Sequence, residues 1–144
     1  MSPQLFAGEF YVGRNYYLAG SGNRQKQVLQ AIGGAVQQRG PKDLRVTVQQ
    51  AKVGMGSAPR DVIAVRWSIG YGYMVCFAPG QDLFVSVRIH YQPGCIARLL
   101  ALTPWFKLEP NIFGVDDLNM LAHCVMTTVE EQLDAMQLSY LSSE

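Results

Sequence analysis

Residues 61–91 read DVIAVRWSIGYGYMVCFAPGQDLFVSVRIHY, and this stretch decides the fold. Ile63, Val65, Trp67 and Ile69 recur at every second position. That is the period of a strand with one buried face. Gly70-Tyr71-Gly72 turns the chain, and the run from Tyr73 to Ala78 is apolar on both faces, as a central strand would be. Pro79-Gly80-Gln81-Asp82 reads as a hairpin turn. After it, Leu83, Val85, Val87, Ile89 and Tyr91 face one way, and Phe84, Ser86, Arg88 and His90 the other. Strands joined by such short turns form an antiparallel meander.

Upstream, Leu44, Val46 and Val48 alternate with polar residues. The alternation shifts at Ala51 and Val53, which suggests a bulge. Met55 to Pro59 is a loop. Before these strands, Val28, Leu29, Ile32, Ala35 and Val36 form one helical stripe, with Asn23 as its N-cap and Gly40-Pro41 as its stop. Gly33 and Gly34 each cost this helix roughly 1 kcal/mol relative to Ala, tolerable where another backbone packs close. Residues 8–18 are rich in aromatics and read as a strand, interrupted by Gly13 and Asn15.

Downstream, residues 107–115 read as loop. Asp116 or Asp117 then caps a long helix on which Leu118, Leu121, Ala122, Val125, Val129, Leu133 and Met136 make one stripe. The tail from Ser139 is expected to fray. The expectation is a single α+β domain over residues 1–144, with element order β-α-β-β-β-β-α. Its antiparallel sheet has four to five strands, and the long C-terminal helix packs on one face. The helices cover Ile63, Val65, Trp67, Ile69, Leu83, Val85, Val87 and Ile89. The other face carries Arg66, Phe84, Ser86, Arg88 and His90, with Met74 and Cys76.

Charged residues make up 16% of the 144 residues, and the formal net charge is +1. Globular proteins typically carry about 25%. A surface short of charge points to a covered patch. The charge is also divided. Residues 1–66 hold nine Lys/Arg and three Asp/Glu, a net of +6; residues 67–144 hold three and eight, a net of −5. Cys76, Cys95 and Cys124 are an odd number with no CxxC spacing, so they read as reduced thiols. The N-terminus has no signal-peptide pattern and no run reaches the ~18–20 apolar residues of a membrane span. A cytoplasmic location follows as the expectation.

Candidate sites fall into a few groups. Leu99, Leu100, Leu102, Trp105 and Phe106 concentrate apolar bulk in one proline-closed segment, a candidate interface for a second copy or another protein. Flanked by Arg98 and Lys107, the segment also suits a lipid surface, although it is short and carries few basic residues. Arg88, His90 and Tyr91, with Tyr73, are the candidate ligand face of a pocket between sheet and helix. Ser21, Asn23 and Arg24 follow a glycine turn at a helix start, where free N–H groups can hold an anion. This turn matches neither GxxxxGK[ST] nor GxGxxG.

Arg39, Lys42, Arg45, Lys52, Arg60 and Arg66 are dispersed over several elements, which argues against a nucleic-acid surface, although Arg45 and Arg66 sit on polar strand faces and could line up across the sheet. A Cys–His pair, either His90 with Cys95 or one of the two histidines, His90 or His123, with Cys124, would be needed for a thiolate enzyme. Asp116-Asp117 and Glu130-Glu131 read as a cap and a solvated helix face, not as an acid–base pair. No spacing asks for a metal or cofactor. The leading expectation is a non-enzymatic interaction or assembly protein. A small-ligand-binding protein is the alternative, and a Cys/His-dependent enzyme stands below both.

Overall fold

A computed structural model describes residues 9–51, 60–68, 70–91 and 112–144. The elements are β1 (Glu9–Leu18), a 3-10 turn (Gly22–Arg24), α1 (Gln25–Arg39), β2 (Arg45–Ala51), β3 (Arg60–Trp67), β4 (Gly70–Phe77), β5 (Leu83–Tyr91), α2 (Ile112–Ala135) and β6 (Leu141–Ser143). The strands form one antiparallel sheet in the order β2-β3-β4-β5-β1-β6. The α+β class, the meander and the helix on one face are as expected. The sheet has six strands, not four or five.

The sixth strand comes from the tail that was expected to fray. Tyr17, Tyr16 and Asn15 of β1 pair with Leu141, Ser142 and Ser143. Glu144 adds an ion pair to Arg14 at 3.4 Å, and Tyr140 packs its ring edge-on against Tyr16 at 5.4 Å. β1 is continuous through Gly13 and Asn15. Its irregularity lies between Phe10 and Val12, whereas β2 pairs in regular register from Arg45 to Ala51. Val53 lies outside the described residues, as does the Met55–Pro59 loop.

Both helices cover the same face. Alternation sends Ile63, Val65, Met74, Cys76, Leu83, Val85, Val87 and Ile89 inward, where all are buried with Val28, Ile32 and Val36 of α1. Leu118, Leu121, Val125, Val129 and Leu133 complete this core from α2. Fully burying each such side chain contributes roughly 1.5–3 kcal/mol. Trp67 is half-buried at the rim and donates its indole N–H to Asp43 at 2.8 Å. Met74 and Cys76 therefore belong to the helix face, not the opposite one. Because the run from Tyr73 to Ala78 is apolar throughout, its own pattern could not set this parity. Ile69 lies outside the described residues.

Gly70 and Gly72 are not a turn but the start of β4. A Cβ on Gly70 would lie 2.7 Å from Leu121 Cδ2, and one on Gly72 would lie 2.4 Å from Val65 Cγ2. Gly70 makes room for Leu118 and Leu121 of α2, and Gly72 for Val65 and Ile89 of the flanking strands. The chain reverses at Ser68, whose φ is 56°.

The helix ends differ from expectation. α1 begins at Gln25, with Arg24 at its N-cap position and no side-chain capping bond, so Asn23 is not its cap. Gly40 closes it by donating its N–H to the Val36 carbonyl at 3.0 Å. α2 is already helical at Ile112, so Asp116 and Asp117 lie inside it and Asp117 accepts from the Ser68 hydroxyl at 2.6 Å.

Gly33 faces the Ile63 and Val48 side chains at ordinary contact distance, and a Cβ on Gly34 would meet nothing within 4 Å. Among the described residues, the atoms nearest the pair are side chains, not the backbone expected there. Gly34→Ala is therefore expected to stabilise the protein by roughly 0.5–1 kcal/mol, because helix propensity improves and nothing clashes. A urea midpoint that rises at unchanged slope is the check. A lowered midpoint would mean that α1 is crowded at Gly34.

Candidate open-face binding site

The face of the sheet opposite the helices is built by cross-strand register. At one end a row runs Arg45, Arg66, Tyr71, His90, Phe10 through β2, β3, β4, β5 and β1. The next row runs Thr47, Ala64, Tyr73, Arg88, Gly13. The third runs Gln49, Val62, Val75, Ser86, Asn15, Ser143. At the far end Phe77, Phe84, Tyr17 and Leu141 are successive partners, and the Arg60 guanidinium lies 3.8 Å above the Phe77 ring.

The composition of this face is distinctive. Among its described strand residues the charged side chains are arginines, Arg45, Arg60, Arg66 and Arg88, with His90 beside them; there is no Lys, Asp or Glu. Basic residues dispersed along the chain are thus gathered by the pairing. Arg45 and Arg66 are direct cross-strand neighbours, both exposed. Like charges placed directly opposite destabilise a sheet. Arg66 offsets part of that cost by stacking on Tyr71, 4.9 Å from the ring centroid. With Thr47, Gln49 and Tyr73 they line a shallow pocket of about 290 Å³.

The aromatics pack among themselves. His90 lies edge-on between Phe10 at 5.5 Å and Tyr73 at 6.1 Å. Val62 and Tyr73 are buried, while Phe10 stays 57% exposed and Tyr17 47%. Burial, with the neighbouring Tyr71, pushes the Tyr73 hydroxyl above its ordinary pKa.

A second, larger cleft of about 740 Å³ occupies the end of the face that holds Phe77, Phe84, Tyr17 and Leu141. No residue of α1 or α2 lines it. The expected pocket between sheet and helix is thus not where this cleft lies, since the described residues there are packed core. The candidate ligand residues divide accordingly. Arg88 and His90 lie on the open face, and Tyr91 points into the helix-covered core at 9% exposure.

The glycine turn has used its donors. Gly22 donates to the Gln81 carbonyl at 2.8 Å and Gly20 to the Asp82 carboxylate at 2.9 Å. Ser21 is buried and its hydroxyl faces the Ala19 carbonyl, and Arg24 donates to Gln27 at 2.6 Å. Asn23 is exposed. An anion at Ser21, Asn23 and Arg24 would have to compete with these bonds.

The interface candidates Leu99, Leu100, Leu102, Trp105 and Phe106 lie outside the described residues, as does Cys95. Cys76 and Cys124 are buried thiols. Burial, with the Asp61 charge adding to it, pushes Cys76 up to about 12. Burial also raises Cys124. An activated nucleophile needs the opposite shift. His123 is exposed beside buried Cys124 on α2, so the two diverge. Glu130 and Glu131 serve structure: Glu130 accepts from Arg14 and Tyr16, and Glu131 pairs with Arg39 of α1. Among the described residues no cluster of His, Cys, Asp and Glu is arranged to hold a metal ion. Among them, too, no helix is long and apolar enough to cross a membrane.

The sequence places Arg45 and Arg66 on polar strand faces where they could line up across the sheet, but it does not show which aromatics join them. Pairing register sets the two directly opposite and adds Tyr71, His90 and Phe10 to their row. No protein family, curated protein or solved structure matches this chain.

Proposed function

We propose that the chain is a non-enzymatic interaction protein that docks another protein, of acidic surface, on the open face of its sheet. One observation carries the reading: the face combines Arg45, Arg66 and Arg88 with Phe10, Tyr71 and Tyr73 and bears no described Lys, Asp or Glu. Protein interfaces are enriched in aromatic residues and Arg at their cores and depleted of Lys, Asp and Glu. Tyr and Arg also dominate the few positions that carry most of the binding energy.

The partner is a different protein. Two copies apposed face to face would bring together two faces whose described strand residues carry arginines and no Asp or Glu to offset them. An acidic partner removes the repulsion within the Arg45–Arg66 pair and gains from it. Single-stranded nucleic acid is less well served, because it needs free aromatic platforms. Here Tyr73 is buried, and arginines stack on Tyr71 and Phe77. We place the protein in the cytoplasm, where Cys76 and Cys124 remain thiols.

The test is an array of acidic peptides carrying an aromatic or leucine anchor, probed with the wild type and with Arg45→Glu/Arg66→Glu. Both residues are exposed, so the variant is expected to fold, with circular dichroism as the control. Retention should fall at least tenfold in the variant and weaken with salt. Light scattering should give a monomer. Equal retention by both proteins, or a dimer dissolved by the double substitution, would overturn the reading. Single-stranded oligonucleotides bound more tightly than every peptide would replace it with nucleic-acid binding.

A further inference from the structure

We infer that the cleft at the Phe77–Leu141 end of the sheet is a binding site for an amphipathic monocarboxylate, a fatty acid or a related long-chain acid. Its carboxylate sits at Arg60, and its chain lies across the sheet over Phe77, Phe84 and Tyr17 toward Leu141. The site is separate from the Arg45–Arg66 end of the face and does not depend on protein docking there.

The geometry has a direction. From Arg60 on β3, the row crosses β4, β5 and β1 to Leu141 on β6, with a cation at one end and aromatic rings and a leucine after it. Neighbouring strands are about 4.8 Å apart, so the row is roughly 19 Å long. That is the scale of an extended acyl chain. The rings make a continuous floor, with Tyr17 and Phe84 at 5.1 Å between centroids. The volume, about 740 Å³, falls within the roughly 300–1,000 Å³ typical of small-molecule sites.

The charges select the head group. Arg60 is exposed and pairs with no carboxylate among the described residues, while stacking on Phe77 holds its guanidinium at the end of the trough. Asp82, the acidic side chain of the lining, already accepts the Gly20 N–H and would repel a second carboxylate. A chain with one acidic end therefore fits better than a dicarboxylate. The apolar end is uncovered: Leu141 is 76% exposed and Tyr17 47%. Exposed apolar side chains continuous with a cleft are surface that a ligand can remove from water.

The experiment is isothermal titration of the full chain with laurate below its micellar concentration, beside dodecanol of equal chain length. Laurate is expected to bind at least tenfold more tightly than dodecanol. Arg60→Ala should remove that advantage, weakening laurate about tenfold and leaving dodecanol unchanged. Tyr17→Glu should weaken both. Each substituted residue is exposed, and retained circular dichroism confirms the fold. Absence of laurate binding to the wild type overturns the proposal. Equal affinity for acid and alcohol, or an Arg60→Ala variant that binds laurate as before, overturns it as well.

Discussion

Tyr16→Ala is expected to lower the free energy of unfolding by about 3–5 kcal/mol, the range for deleting a fully buried aromatic side chain. Tyr16 has no exposed surface, although it stands on a strand that reaches the edge region of the sheet. Its ring packs against Tyr140, and its hydroxyl donates to Glu130 Oε1 at 3.0 Å. The same carboxylate oxygen accepts from Arg14 at 2.8 Å. Glu130 sits on α2, so this one side chain ties the helix to β1 and to the tail that forms β6. Tyr16→Phe separates the two contributions, since it keeps the ring and loses a bond to a charged acceptor, at a cost of about 1.5–3 kcal/mol. Urea unfolding of both variants is the measurement. A Phe variant as damaged as the Ala variant would show that the hydroxyl network, not ring burial, fastens α2 to β1.

The same residue sets an alkaline limit. Burial, and next the Glu130 carboxylate, raise the Tyr16 hydroxyl well above its ordinary value of 10.0. The folded state thus holds this proton more tightly than the unfolded chain does. Its contribution is fully present below the unfolded value and is lost as pH rises above it. The Tyr16→Phe variant should accordingly lose less stability than the wild type above about pH 10.

Gly22→Ala is the second large effect, with an expected loss of about 3 kcal/mol, at the upper end of what overpacking costs. A Cβ there would lie 2.5 Å from the Gly80 carbonyl oxygen and 2.9 Å from that of Gln81. These are backbone atoms of the β4–β5 turn, so no rotamer change relieves the clash. Either the turn or the start of α1 must move, and the Gly22 N–H bond to Gln81 is put at risk with it. Thermal melting should show a fall of roughly 10 °C. A fall of under 2 °C would mean that the turn yields freely. Since this turn also supplies Pro79, Asp82 and Leu83 to the large cleft, the substitution should weaken laurate as well.

The meander was legible because Ile63 to Trp67 and Leu83 to Tyr91 alternate cleanly, and α2 because its stripe is long. Three features were not. Met74 and Cys76 lie in a run with apolar residues on both faces, so only pairing to Ile63 and Val85 fixes which way they point. Gly70 and Gly72 read as a turn because nothing local distinguishes a tight bend from room left for side chains of α2 and of the flanking strands. Leu141-Ser142-Ser143 is too short to show a period, and becomes a strand because β1 offers it an edge. The open-face rows are hard to read for the same reason: each takes one residue per strand, so no stretch of sequence contains them.

The place of β1 in the sheet has a further cost, borne while the protein is being made. Of the described strands this one is translated first, yet its neighbours are β5 and β6, the last of them to appear. Until β5 emerges, an aromatic-rich segment, FYVGRNYYL, has no ladder to join. Non-local pairing of this kind slows folding, and unpaired strands left waiting are where nascent chains aggregate. Gly13 and Arg14 in mid-segment act as gatekeepers during that interval, one by weakening extended self-pairing and the other by its charge.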